Sequence, residues 1–285
     1  MSLTINPNNN DFGASITGID LSKGLSNKQI REIRNAWVKH RVISFPNQPI
    51  SPSDLELFSR YFGKFGNDPY VSPIAGYEHI IEVRREPDEK PQPFGSSWHS
   101  DWSFQEEPPS GTILLSKIIP NSGGDTQFAD GFGAFESLDQ SVQQKIEGLT
   151  AVHSAQRPYS HKGYEASGGR QRSMKILPSD EAYALQEHPI VRTHPESGRK
   201  ALWINPVYTI RIKGISKTES KALLDMLYKH YTQAKFIHTH KWEADMVIMW
   251  DNRSLMHRAQ GGYDGQLRVM HRTTIAGDKP FLSPS

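Results

Sequence analysis

Cysteine is missing altogether from the 285 residues. Its absence excludes disulfides, thiolate nucleophiles and thiolate metal sites, and leaves His and carboxylate side chains as the ligands for any tightly held ion. Net charge is nearly missing too: 33 Lys and Arg against 31 Asp and Glu leave a formal +2. That is too little to imply a nucleic-acid partner or an acidic membrane surface. No apolar run approaches the roughly 20 residues needed to cross a bilayer. The first residues, Met1 to Asn8, lack the basic-then-apolar pattern of a secretory leader. These absences lead us to expect a cytoplasmic protein with no membrane and no nucleic-acid partner. A hydrophobic fraction of 36% with 22% charged residues fits a globular chain with a large core. A homo-oligomer is compatible with that composition.

The chemistry the chain does carry centres on Trp98-His99-Ser100-Asp101-Trp102. Side chains two apart on an extended backbone share a face, so His99 and Asp101 are placed to grip one ion. His257, at the end of Asp251-Asn252-Arg253-Ser254-Leu255-Met256-His257, is the candidate third ligand. Two His and one carboxylate on one face, with open positions opposite, is the donor set of non-haem iron(II) oxygenases. The short motif is not specific by itself. With 12 His and 31 acidic residues in 285, composition alone predicts about one His-x-Asp/Glu match, and the chain has two. The second, His194-Pro195-Glu196, runs into Ser197-Gly198 and reads as a hairpin turn.

Context supports the first. Arg268 and Arg272 share a face of the last predicted strand, about 13 Å apart at strand rise. Inward guanidiniums are costly unless they meet anions, and their planar forks suit carboxylate or sulfonate oxygens. A carboxylate-bearing co-substrate is the simplest partner. His238-Thr239-His240 has ligand-like spacing but sits between Lys235 and Lys241, so a solvent-facing strand is expected there. His271 points opposite to Arg268 and Arg272.

The remaining pattern is one of short strands and few helices. Ser26-Asn27-Lys28-Gln29 opens one helix, and capping boxes at Ser51 and Ser216 open two more. Apolar strands are expected at 42–45, 112–118, 246–250 and 267–275. No repeat or domain boundary is evident, so 1–285 reads as a single catalytic domain. The architecture expected is mainly β with flanking helices, a double-stranded β-helix or jelly roll. Two segments interrupt it. Residues 64–98 are Pro-rich and lead into the metal motif, which suits a lid. Residues 156–188 are polar and basic, either a solvated loop or a second lid.

Ordered blocks along nearly the whole chain resemble the taurine dioxygenase and 2,4-dichlorophenoxyacetate dioxygenase family of Fe(II), 2-oxoglutarate-dependent oxygenases. They include Gly13 to Leu21, Trp98 to Asp101, Ser122-Gly123-Gly124-Asp125-Thr126, Val191 to Pro195, Trp250 to Arg253 and Met270 to Thr273. The resemblance implies a clavaminate synthase-like jelly roll with iron on His99, Asp101 and His257. It implies that Thr126 and Arg268 hold the distal carboxylate of 2-oxoglutarate and that Arg272 meets the anionic end of the primary substrate. Oxidative decarboxylation with O2 would release succinate and CO2. Family halogenases lack the carboxylate, so Asp101 implies hydroxylation.

One departure bears on specificity. Taurine dioxygenases carry a His and a Tyr near Asp68 to Val71, and an Asn aligned with Gly95. This chain has Asp68, Val71 and Gly95 there, with Tyr70 one step out of register. Taurine itself is thereby disfavoured. The expected partner is another small anion: a sulfonate, sulfate ester, aryloxy acid or amino-acid-like acid. An Asp68 lining the pocket would add a cationic group to it. Desaturation with the same ligands, a non-catalytic carboxylate-binding jelly roll and a zinc hydrolase stay open at this stage.

Overall fold

A computed structural model describes residues 3–8 and 12–283. Two facing sheets form the frame, a jelly roll. The larger has seven strands in the order Thr4–Pro7, Ala14–Thr17, Val42–Phe45, Val247–Asp251, Gly111–Ile118, Arg268–Ile275 and Ile81–Arg85. The smaller places Thr126–Asp130 between Ile237–His240 and Leu255–Ala259. The Asn9 to Asp11 part of the expected N-terminal turn lies outside the described residues.

The central strands are apolar on both faces, and the period of two sorts their residues. Val247 and Met249 join Ile113 and Leu115 under the helical layer. Ile248 and Trp250 join Leu114, Phe128 and Met270 between the sheets. The helical layer is supplied by Asn27–His40 and Pro52–Arg60. Each starts at a complete capping box, on Ser26 with Gln29 and on Ser51 with Asp54. They bury Trp37, Leu55 and Phe58 against the sheet, each such side chain contributing about 1.5–3 kcal/mol. A third boxed helix, Lys217–Tyr231, packs Leu224, Leu227 and Tyr231 into a separate cluster.

The last strand carries the consequence for function. Met270 faces the space between the sheets, so Arg268, Arg272 and Thr274 face the same way. Thr273 points oppositely, to Ser59 of the second helix at 2.7 Å. His271 lies 3.7 Å from Glu82, away from the arginines.

The segments 64–98 and 156–188 are stitched together. Ser72 N–H donates to Lys175 O at 3.0 Å and Leu177 N–H to Tyr70 O at 2.8 Å. Arg172 donates to Gln92 O at 2.7 Å. Among the described residues no helix is long and apolar enough to cross a membrane.

The expectation of a solvent-facing 238–240 strand is corrected. His240 is buried and packs on Trp242 at 5.0 Å between ring centres, and only Thr239 is exposed. The segment after the first strand covers this face, with Phe12 against His238 at 6.0 Å and Asn8 Nδ2 3.3 Å from its Nδ1. Polar alternation signalled an open face, but tertiary contacts closed it.

Candidate active site

Two backbone bonds bring the distant histidines together. His99 N–H donates to His257 O at 3.0 Å and His257 N–H to His99 O at 2.7 Å. Directly opposed residues of an antiparallel pair share a face, and the two imidazole centres lie 4.2 Å apart. Asp101, two positions on, joins them. Its oxygens lie 3.7 Å from His99 Nε2 and 3.9 Å from His257 Nε2. All three ligand atoms fall within 4.8 Å of one another, and all three residues are buried.

The surroundings prepare these groups as ligands. His99 Nδ1–H donates to Ser97 O at 2.7 Å, which leaves the Nε2 lone pair directed at the ion position. Burial lowers the pKa of His99 and takes that of His257 to about 3, so both rings are neutral donors near pH 7. Asp101 is ionised: burial alone would raise its pKa, but the adjacent Arg272 charge brings it below the usual carboxylate value. The Thr112 hydroxyl donates to Asp101 Oδ2 at 2.6 Å. Asn252 in turn donates to Thr112 at 2.9 Å and accepts the Trp250 indole N–H at 3.0 Å. Two neutral imidazoles, one carboxylate and no thiolate fit a ferrous ion.

A cavity of about 50 Å³ adjoins the cluster, walled by His99, His257, Thr126, Arg268 and Arg272 with Leu114, Trp250 and Phe94. The Arg268 guanidinium is buried, donates to Gly124 O at 3.2 Å, and has no partner for Nε. A buried guanidinium with an N–H to spare at a cavity wall suits an anion held in that cavity. Thr126 Oγ1 accepts the Trp242 indole N–H at 3.0 Å, so its own proton is free for that anion.

Arg272 is placed differently. It donates to Asp68 Oδ1 at 2.8 Å and to Asp101 Oδ1 at 3.4 Å, with its guanidinium 5.0 Å from the Trp102 ring centre. Asp68 also accepts the Trp102 indole N–H at 2.5 Å and the Thr274 hydroxyl at 3.1 Å. Trp102 itself has φ 48°, a left-handed conformation that costs a bulky residue energy and needs surrounding contacts to hold it.

A second cavity of about 740 Å³ opens outward and shares Phe94, Gly95 and His99 with the first. Gly95, with φ +73°, lies where an added Cβ would stand 3.2 Å from His99 Cε1. Neither Asp68 nor Tyr70 lines either cavity. Asp68 turns to Arg272, and Tyr70 stacks on Tyr159 at 4.8 Å. Sequence reading missed the supports Ser97, Thr112 and Asn252, and the outer-cavity residues Tyr159, Tyr208, Arg172 and Arg258. Only Asn252 had a signal, lying inside a block already tied to His257. The His194-Pro195-Glu196 match takes no part in the cluster; His194 Nε2 meets Asp251 at 2.9 Å in a buried ion network with Arg253.

Comparison with known proteins follows the same lines. The family model "Taurine catabolism dioxygenase TauD, TfdA family" matches residues 4–274. The chain is 32% identical to the alpha-ketoglutarate-dependent sulfate ester dioxygenase of Pseudomonas putida, over 98% of this chain and 91% of that one. It is 31% identical to the alpha-ketoglutarate-dependent 2,4-dichlorophenoxyacetate dioxygenase of Cupriavidus pinatubonensis, over 98% and 99%. Its structure superposes on that of AAD-2 in complex with Mn(II) and N-oxalylglycine with a TM-score of 0.78, at 30% identity over 98% of this chain and 99% of that one.

Proposed function

Since this chain belongs to the TauD/TfdA dioxygenase family, we propose that it is an iron(II)- and 2-oxoglutarate-dependent dioxygenase hydroxylating a small organic anion, with release of succinate and CO2. The observation that carries this is the pairing of a buried His99–Asp101–His257 cluster with the unsatisfied Arg268 across one small cavity. His99, Asp101 and His257 would hold the metal. When bound, the ferrous ion supplies the redox chemistry that couples decarboxylation of 2-oxoglutarate to oxidation of a substrate C–H bond by O2.

The chain's own residues set the conditions for that chemistry. Arg268 presents its guanidinium, and Thr126 its free hydroxyl proton, to the distal carboxylate of the co-substrate. Thr112 and Arg272 share the two oxygens of Asp101 and fix its orientation. Leu114, Trp250 and Phe94 keep water from the inner cavity. The relatives named for sulfate ester and 2,4-dichlorophenoxyacetate substrates support a carboxylate, sulfonate or sulfate on an apolar body as the substrate class.

The test is succinate formation from 2-oxoglutarate with Fe(II) and ascorbate, across a panel of alkyl sulfates, sulfonates and aryloxyacids. Turnover should require iron and fall to background in Asp101→Ala. Succinate produced without iron, or undiminished in that variant, would refute the assignment.

A further inference from the structure

The charge distribution around the two cavities is uneven. Arg272 already faces two carboxylates, Asp68 at 2.8 Å and Asp101 at 3.4 Å. Asp68 and Asp101 together match Arg272 and Arg268, and a dianionic co-substrate matches a divalent ion. The inner site is therefore balanced before any substrate arrives, and an anion pressed against Arg272 would add an uncompensated negative charge in a buried place.

The outer cavity has the opposite character. Its lining includes Arg157, Arg172 and Arg258 and not one Asp or Glu. Their hydrogen-bond partners are neutral oxygens, and the one acid whose charge reaches Arg172, Glu89, lies outside the lining. Arg172 donates to Gln92 O at 2.7 Å and Ser167 O at 3.4 Å, Arg258 to Gln127 Oε1 at 2.9 Å, and Arg157 to Pro206 O at 2.6 Å and Thr209 O at 3.0 Å. Arg157 is exposed, whereas Arg172 and Arg258 are half-buried. Arg258 follows the ligand His257 and lies 4.7 Å from the ring centre of Trp98, which precedes the ligand His99. The same lining holds the apolar and aromatic side chains of Phe94, Ile176 and Tyr208, with Ser96 and Ser97 next to the ligand His99.

We propose that Arg172 and Arg258 hold the anionic end of the primary substrate at the outer cavity, so that the molecule lies with its apolar body toward the metal ligands and its charge outward. The ligand class is an amphiphilic monoanion bearing a carboxylate, sulfonate or sulfate. Asp68 is the residue that shifts anion recognition outward, because it occupies the charge of Arg272. The proposal rests on the dioxygenase assignment for the reaction that follows, but not for binding.

Two fluorescent probes of similar shape isolate the charge: 8-anilinonaphthalene-1-sulfonate, and the uncharged N-phenyl-1-naphthylamine. Both are titrated into the full chain and into Arg172→Gln, Arg258→Gln, Arg172→Lys, Arg258→Lys and Arg272→Gln. The sulfonate should bind the unaltered protein better than the neutral probe. That preference should shrink about tenfold or more in each Gln variant, the size of one lost charge-assisted hydrogen bond, and largely persist in the Lys variants. Far-UV circular dichroism and a cooperative thermal melt report whether each variant is folded; where a Gln variant is not, the Lys variants decide the matter. No sulfonate preference in the unaltered protein overturns the proposal. So does a preference that survives both Gln substitutions, or one abolished by Arg272→Gln alone. A separate failure to form succinate would remove the dioxygenase assignment and leave the probe result standing.

Discussion

Replacing Asp68 by alanine tests the site's construction most directly. Arg272 is 5% exposed and the Asp68 side chain 12%, so their ion pair is largely withdrawn from water. The substitution deletes the 2.8 Å bond to Arg272, the acceptor for the Trp102 indole and the acceptor for the Thr274 hydroxyl. Removing one partner of a buried pair costs about 3–5 kcal/mol, and an orphaned buried donor adds about 1 kcal/mol. Asp101 stays within 3.4 Å of Arg272 and offsets part of that, so a net loss of about 3 kcal/mol is expected after this compensation. For 285 residues the unfolding entropy is about 0.6 kcal/mol/K, so the melting temperature should fall by about 5 °C. Thermal and urea melts in the presence of EDTA measure this without metal linkage. Asp68→Asn, which keeps an acceptor for the indole but not the charge, should fall between the parent and Asp68→Ala. The freed guanidinium would also turn fully onto Asp101 and compete with the ion, so metal affinity should drop alongside stability. A melting temperature within about 1 °C of the parent, less than a third of the expected shift, would refute this account of Arg272.

Other expectations follow from the same geometry. Arg268→Gln should raise the KM for 2-oxoglutarate about 10–100-fold, the range for losing charge-assisted hydrogen bonds to a carboxylate; an unchanged KM would place the co-substrate elsewhere. Gly95→Ala forces an L-residue into φ +73° and sets a methyl 3.2 Å from His99 Cε1. It should cost about 1–2 kcal/mol of stability and lower turnover, both absent if the loop simply moves aside. A divalent ion at 100 times its Kd should stabilise the protein by about 2.7 kcal/mol, and Asp101→Ala should abolish most of that shift in melts with Mn(II). Burial holds His188 at about 4 and His240 at about 3 when folded, against about 6.5 when unfolded. The unfolded chain therefore binds more protons below pH 6.5. Stability should be complete above about 6.5 and decline toward pH 4, by about 1.4 kcal/mol per group per pH unit. A urea midpoint that stays level over that range would contradict the burial of these rings.

How much of this could be read from the chain depends on the distance over which each feature is determined. His99 and Asp101 were legible because they lie two residues apart, although the extended backbone expected there gives way to a turn at 101–104. His257 and Arg268 needed the run of blocks around them, since nothing local says that residue 257 pairs with residue 99. The capping boxes at Ser51 and Ser216 were visible as written, and the one at Ser26 with Gln29 joined them in the structure. Thr112 and Asn252 were not, because their contact arises from strand register: Thr112 lies opposite both Trp250 and Thr274 in the seven-stranded sheet. Asp68 was expected to face a ligand and instead faces Arg272, a choice made by the last strand's inward side. Arg172 lies in a basic stretch that reads as a solvated loop until the hydrogen bonds of Ser72 and Leu177 fasten it above the metal cluster.

The opposed backbone bonds of His99 and His257 have a last implication. An incompletely folded chain offers an ion only the His99–Asp101 pair, because the remaining imidazole arrives when sheet pairing brings a much later segment alongside. Assembly of the metal centre is thus coupled to the closing of that bridge. The same interlock means that loosening this one bridge would disarm the enzyme well before the rest of the molecule came apart.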